Sequence, residues 1–219
     1  MELAALVEDL AQAFSEADAA RPVWVSQRSG RVYSPGIGPH AENAAVALVL
    51  DRLRARPPYA SMAMGQFLPY PDAPRQKCDV WLGDPLLWAV EVKMARFRGD
   101  NGKPDDTALK DLLSPYESDR SAVGDAAKLA RSGFPGRCAV VIYGFEYADR
   151  PLEPAIAAFE LIATTRTDLG LRCTAAMGPL VHPVHSEGVV FGWEVRPLGE
   201  IIVEDVARSR HREPAVSRD

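Results

Sequence analysis

The chain has 219 residues, 47% of them apolar and 25% charged, with a formal net charge of −5. That balance supports a sizeable core in one compact domain and excludes a low-complexity or disordered chain. No apolar run approaches the roughly 20 residues that span a bilayer as a helix, and the acidic total excludes a polybasic nucleic-acid coat protein.

The start, Met1-Glu2-Leu3, has neither a basic segment nor an apolar stretch of signal-peptide type, so a cytoplasmic protein with no membrane association is expected. Cys78, Cys138 and Cys173 are far apart and form no metal-binding spacing. An odd, unpaired set of this kind fits a reducing compartment, with the thiols acting as small buried hydrophobes.

Residues 2–20 carry Leu3, Leu6, Val7, Leu10 and Phe14 at helical steps. A short extended piece over 23–26 leads into turn-rich sequence to residue 38. A second helix is predicted over 40–54 from Ala44, Ala45, Leu48, Val49 and Leu53, stopped by Pro57-Pro58. Glu42 lies in its first turn, where a negative charge favours the helix dipole whatever else it does.

Residues 59–74 show no regular pattern. Two strands follow, 77–82 and 86–94, joined by Gly83-Asp84-Pro85 and read as a β-hairpin. A polar loop occupies 97–107. Helices are predicted at 107–113, 121–132 and 154–165. The apolar run 137–145 reads as a central strand covered on both faces, and 188–196 as a late strand. The charged segment 208–219 reads as a flexible tail. The whole is an α/β domain with a central mixed sheet flanked by helices.

Asp79 and Glu91 are acids set in otherwise apolar strands, which is costly unless they are paired, hydrogen-bonded or metal-bound. Glu91 and Lys93 are two apart and share a strand face, with Val90 and Val92 on the other. Paired as a hairpin, Asp79 lies across from them. Two carboxylates provide hard oxygen ligands for Mg²⁺, and the Val92 carbonyl is a suitable further ligand. A nearby ammonium stabilises charge developing on a phosphodiester. The competing reading is an ordinary set of salt bridges on a sheet.

Asp79, followed twelve residues later by Glu91-Val92-Lys93 across a strand–turn–strand, with Glu42 on the preceding helix, resembles the PD-(D/E)xK nuclease superfamily. The likeness covers about residues 40–145. Cys78 stands where that motif has proline. Residues 146–207 read as C-terminal helix and strand additions to a single nuclease domain.

The resemblance implies a restriction-endonuclease-like fold and Mg²⁺-dependent hydrolysis of DNA phosphodiesters, with Mn²⁺ able to substitute. It implies Asp79, Glu91, Lys93 and Glu42 as catalytic residues and Asp79, Glu91, Val92 and Glu42 as metal ligands. Duplex cleavage then needs a homodimer or a partner protein. A restriction or phage-defence setting follows by fold-level analogy alone.

Lys77, Gln66, Arg96 and Lys128 are the candidate substrate contacts, each with an ordinary surface role as its alternative. Arg98, Tyr116 and Ser118 are weaker candidates of the same kind. Asp125 reads as part of a solvated helix face. His182 and His185 lack a third ligand in the sequence and read as loop residues. Two further readings stay open: a non-catalytic DNA-binding or assembly subunit that keeps the fold, and a different metal-dependent hydrolase.

Overall fold

In a computed structural model, described here for residues 1–105, 107–116 and 118–197, two helices begin the chain. They are α1 (Leu3–Ala19) and α2 (Glu42–Arg54). A single 3₁₀ turn, Tyr59–Ser61, precedes strands β1 (Met64–Tyr70), β2 (Ala73–Leu82) and β3 (Trp88–Ala95). Helices α3 (Thr107–Leu113) and α4 (Ala122–Leu129), strand β4 (Arg137–Phe145) and helix α5 (Glu153–Ala163) follow. Strands β5 (Asp168–Leu169), β6 (Cys173–Met177) and β7 (Gly188–Arg196) complete the described chain. The predicted flexible tail, 208–219, lies outside the described residues.

All seven strands join one mixed sheet in the order β1-β2-β3-β4-β7-β5, with β6 also paired to β7. Only β3 and β4 run parallel. Their connection carries α3 and α4 across one face of the sheet, as a parallel crossover requires. The α/β architecture with a mixed sheet flanked by helices is therefore present. Residues 146–197, which the family likeness leaves unassigned, supply β7 to the middle of the sheet. Phe191 and Trp193 on β7 are core residues, and Trp193 packs on Phe159 of α5 at 5.0 Å.

The apolar stripes of α1 and α2 (Leu6, Phe14, Val49, Leu53) cover one face, against Val80, Val90, Val92 and Val141. The strand period then turns Glu91 and Lys93 to the opposite face, where α3 and α4 pack. Among the described residues, no helix is long and apolar enough to cross a membrane. All three cysteines are free, and Cys78 and Cys138 are buried as expected.

Several boundaries differ from the sequence expectation: β3 starts at Trp88 rather than residue 86, and α4 and α5 end at Leu129 and Ala163 rather than 132 and 165. Helix α2 starts at Glu42 rather than residue 40, because His40 is held in a turn with its amide on the Ile37 carbonyl (3.1 Å). Strand β1 arises in a stretch with no predicted element, and β2 begins four residues earlier than its sequence signal.

Candidate metal centre

The hairpin β2–β3 is a fork. Main-chain pairing runs from Leu82–Trp88 to Val80–Val90 and stops there. Beyond it, β3 stays paired to β4 on its other side but, among the described residues, has no strand on this one. Two side chains take the missing places. Asp79 Oδ2 accepts from the Val92 amide at 2.9 Å, and Glu42 Oε2 accepts from the Met94 amide at 2.6 Å. In an extended strand the amide and carbonyl of one residue point to the same side. The Val92 carbonyl therefore faces the gap between these two carboxylates.

Glu42 reaches the fork because it is the first residue of α2, whose N-terminus ends there. Glu91 is buried, at 2% exposure, on the α4 side. Its carboxyl accepts from the Tyr70 hydroxyl, and the Asp79 charge is near enough to help raise its pKa. Ser121 caps α4 by accepting from the Gly124 amide (3.0 Å), which fixes the helix phase. Asp125 and Lys128, three residues apart on one helical face, are thereby set against β3.

Lys128 Nζ lies 2.6 Å from Glu91 Oε1 and 2.9 Å from Asp125 Oδ1. Lys93 Nζ lies 3.1 Å from Asp125 Oδ2 and 3.8 Å from Glu42 Oε1. Four carboxyl groups and two ammonium groups thus share one partly buried volume. Burial pushes the Glu91 carboxyl up to about 8, helped by the charges of Asp125 and Asp79. Burial likewise raises Glu42 to about 7, against the pull of Lys93 and the Met94 amide. Burial works against the Lys93 ammonium, yet Asp125 and Glu42 hold its pKa above the ordinary value.

The structure thus brings together Asp79, Glu91, Lys93, Glu42, Val92 and Lys128 of the predicted set. Gln66 lies beside them on β1, its amide donating to the Asn43 carbonyl in the first turn of α2. Lys77 is exposed on β2, opposite Pro69. Asp125 and Tyr70 join the cluster without having been singled out for it. Asp125 lies three residues before Lys128 on an Ala-rich helix, a pattern that does not mark which of its faces is packed. Tyr70 sits at the end of a strand that the sequence did not announce.

Arg96 is placed elsewhere. It turns back from the end of β3 and donates to the Gly38 carbonyl (2.6 Å), with Asp100 Oδ1 at 3.9 Å. A Cβ on Gly38 would sit 2.4 Å from the His185 ring, so the 36–41 loop is wedged between Arg96 and His185. This loop leads directly into Glu42. Arg96→Ala is therefore expected to destabilise the fold by roughly 1–3 kcal/mol, read by chemical denaturation. Full stability together with weakened DNA binding would return Arg96 to the substrate surface.

Next to Arg96, ligand atoms of Asp100, His182 and His185 lie within 4.8 Å of one another. Asp100 is the third partner that the sequence did not reveal. Hydrogen bonding decides what the group is. His182 Nδ1 accepts from the Val184 and His185 amides at 3.2 and 3.3 Å. The proton of a neutral imidazole is then on Nε2, which leaves that nitrogen no lone pair for a metal. His185 is held between the Tyr147 hydroxyl (2.7 Å) and Asp100 (3.2 Å). Burial lowers the pKa of both histidines, keeping them neutral. His185 and Asp100 thus brace the loop before α2, while His182 Nε2 is buried with no hydrogen-bond partner among the described residues.

The fork has a different chemistry. Its donors are carboxylates and one carbonyl, with no imidazole or thiolate, which suits Mg²⁺ or Mn²⁺ rather than zinc. Burial disfavours the ionised forms of Glu42 and Glu91, with the charges of Asp125 and Asp79 adding to it, and a divalent cation held by these carboxylates would offset that cost. The donor set fits such an ion. Comparison of the chain with family models, with curated proteins and with solved structures gives no match.

Proposed function

We propose that this chain is a metal-dependent endonuclease that hydrolyses DNA phosphodiester bonds, on a restriction-endonuclease-like fold of the PD-(D/E)xK type. The observation that carries the reading is the fork. Asp79 and Glu42 replace a strand at the open edge of β3, and Glu91 and Lys93 lie on the adjoining face.

In this reading Asp79, Glu91, Glu42 and the Val92 carbonyl hold Mg²⁺, with Mn²⁺ able to replace it. Bound there, the ion supplies charge neutralisation at the scissile phosphate and a water of lowered pKa. Lys93 stays protonated beside Asp125 and presents N–H donors where negative charge develops on the phosphoryl oxygens. The Tyr70 hydroxyl fixes the Glu91 carboxyl. Lys77 and Gln66 flank the site on the hairpin side and Lys128 on the helix side, positions suited to the phosphate backbone. A duplex cut needs two such centres, so a homodimer or a partner protein is part of the proposal, as is a cytoplasmic setting.

The test is cleavage of supercoiled and linear DNA by the purified protein in Mg²⁺, in Mn²⁺ and in EDTA, beside Asp79→Asn and Lys93→Ala. Cleavage that needs the ion and is lost in both variants supports the reading. Equal rates in parent and variants sink the site. DNA binding without cleavage in any ion supports the alternative, a DNA-binding or assembly subunit on the same fold.

A further inference from the structure

We infer that Lys128 is an exchangeable partner of Glu91: it pairs with the Glu91 carboxyl while the metal centre is empty of divalent cation and turns to the substrate's phosphate backbone when that cation is bound. The inference rests on the metal-site reading above and adds to it a coupling between ion and substrate.

The geometry makes Lys128, and not Lys93, the group that moves. Asp125 has an ammonium on each oxygen, Lys128 on Oδ1 and Lys93 on Oδ2. It keeps a counter-ion if Lys128 leaves. Glu91 is different. Its only ammonium contact among the described residues is Lys128, at 2.6 Å. A divalent cation taken up by Glu91 competes with Lys128 for the same carboxylate, and the two positive charges repel at such range. Lys93 is tied to Asp125 and Glu42, and its side chain is only 12% exposed.

Lys128 also has somewhere to go. Its side chain is 28% exposed, and its ammonium lies over the Tyr70 ring, 5.0 Å from the centroid. Tyr70 and Lys128 form one wall shared between the carboxylate cluster and a cleft of about 140 Å³. Asp72, Ala73, Gln76, Arg131 and Ser132 line the rest of that cleft, between the hairpin end and the residues after α4. Because Lys128 both touches Glu91 and lines the cleft, a turn of its own side chain is the movement the exchange requires. There it joins Arg131 and Asp72 in an opening next to the carboxylate cluster, the position the inference assigns to a neighbouring phosphate of a bound strand.

The coupling has a measurable signature: Lys128 supports substrate binding chiefly in the ion-loaded protein. Ca²⁺ serves as a probe, its binding measured by calorimetry on the parent and on Asp79→Asn. Lysine acetylation read by mass spectrometry then compares Lys128 with exposed Lys77, with and without Ca²⁺. Acetylation of Lys128 is expected to rise with Ca²⁺ while that of Lys77 stays constant.

Lys128→Gln is expected to weaken binding of a labelled DNA duplex about tenfold in Ca²⁺ and much less in EDTA, with its melting temperature as the check on folding. Ca²⁺ binding without a rise in Lys128 acetylation overturns the exchange and leaves the metal site standing. Equal loss of DNA affinity in Ca²⁺ and EDTA does the same. Failure of the parent to bind Ca²⁺ any better than Asp79→Asn overturns the metal site and the exchange together.

Discussion

Glu91→Gln is expected to reduce metal-dependent cleavage by about a thousandfold or more while leaving the protein at least as stable as the parent at pH 7. The two effects have one origin. Glu91 is buried beside Asp79 and Asp125, and burial, helped by those two charges, pushes its carboxyl up to about 8 and disfavours the ionised form. An amide of nearly the same shape removes that burden. Lys128 loses one partner but keeps Asp125 at 2.9 Å, so no ammonium is left without a counter-ion.

The Tyr70 hydroxyl still finds an oxygen acceptor on the amide. What the amide lacks is the charge that a divalent cation needs. A site kept at a cost to stability is the usual sign of a functional demand on it. Cleavage rates on supercoiled DNA and a thermal denaturation curve of the same sample measure both halves. Parental cleavage by the variant would remove Glu91 from the site. A large loss of stability would support the competing reading, in which Glu91 and Lys128 are an ordinary structural pair.

The sequence made part of this centre legible and hid the rest for identifiable reasons. Periodicity gave α1 and α2, and the unbroken apolar run gave β4, because in each case a buried face imposes its pattern on the residues. The acids Asp79 and Glu91 stood out because their neighbours are apolar.

The fork itself left no mark. Whether the ladder ends at Val80–Val90 or runs on depends on where α2 docks, which is a tertiary matter. Strand β1 carries Gly65, Pro69 and a positive φ of 65° at Phe67, so neither alternation nor propensity announced it. The extensions β5 and β6 are too short to show a period. Arg96 looked like a substrate contact from its place after the site strand. Its long side chain instead folds back onto Gly38, a direction that sequence spacing does not encode. Asp125 passed for a solvated acid because the packed face of α4 is small and Ala-rich, which blurs the boundary between its sides.

The pH dependence of ion binding separates a metal centre from a cluster of structural salt bridges. Glu42 and Glu91 titrate near 7 and 8 in the folded chain, against an ordinary value of 4.5. The folded state then binds more protons than the unfolded one between about pH 4.5 and 8. Stability drawn from these two groups is complete below about pH 4.5 and is lost as pH rises, the loss ending near pH 8. A divalent cation acts in the opposite direction, since it binds the ionised carboxylates and must expel those protons.

Affinity for Mg²⁺ or Ca²⁺ is therefore expected to climb between pH 6 and 8 and to level off above 8. Near pH 6.5 about one to two protons should leave per ion bound, counted by calorimetry in buffers of different ionisation enthalpy. The rise in melting temperature on adding Mg²⁺ should be slight at pH 6 and large at pH 8.5, since stabilisation by a ligand follows its affinity. An affinity that does not change from pH 6 to 8.5 would mean that the ion avoids Glu42 and Glu91. If the ion does not stabilise the protein at any pH, the surplus carboxylates of the fork are balanced by Lys93 and Lys128 alone, and the cluster is structural.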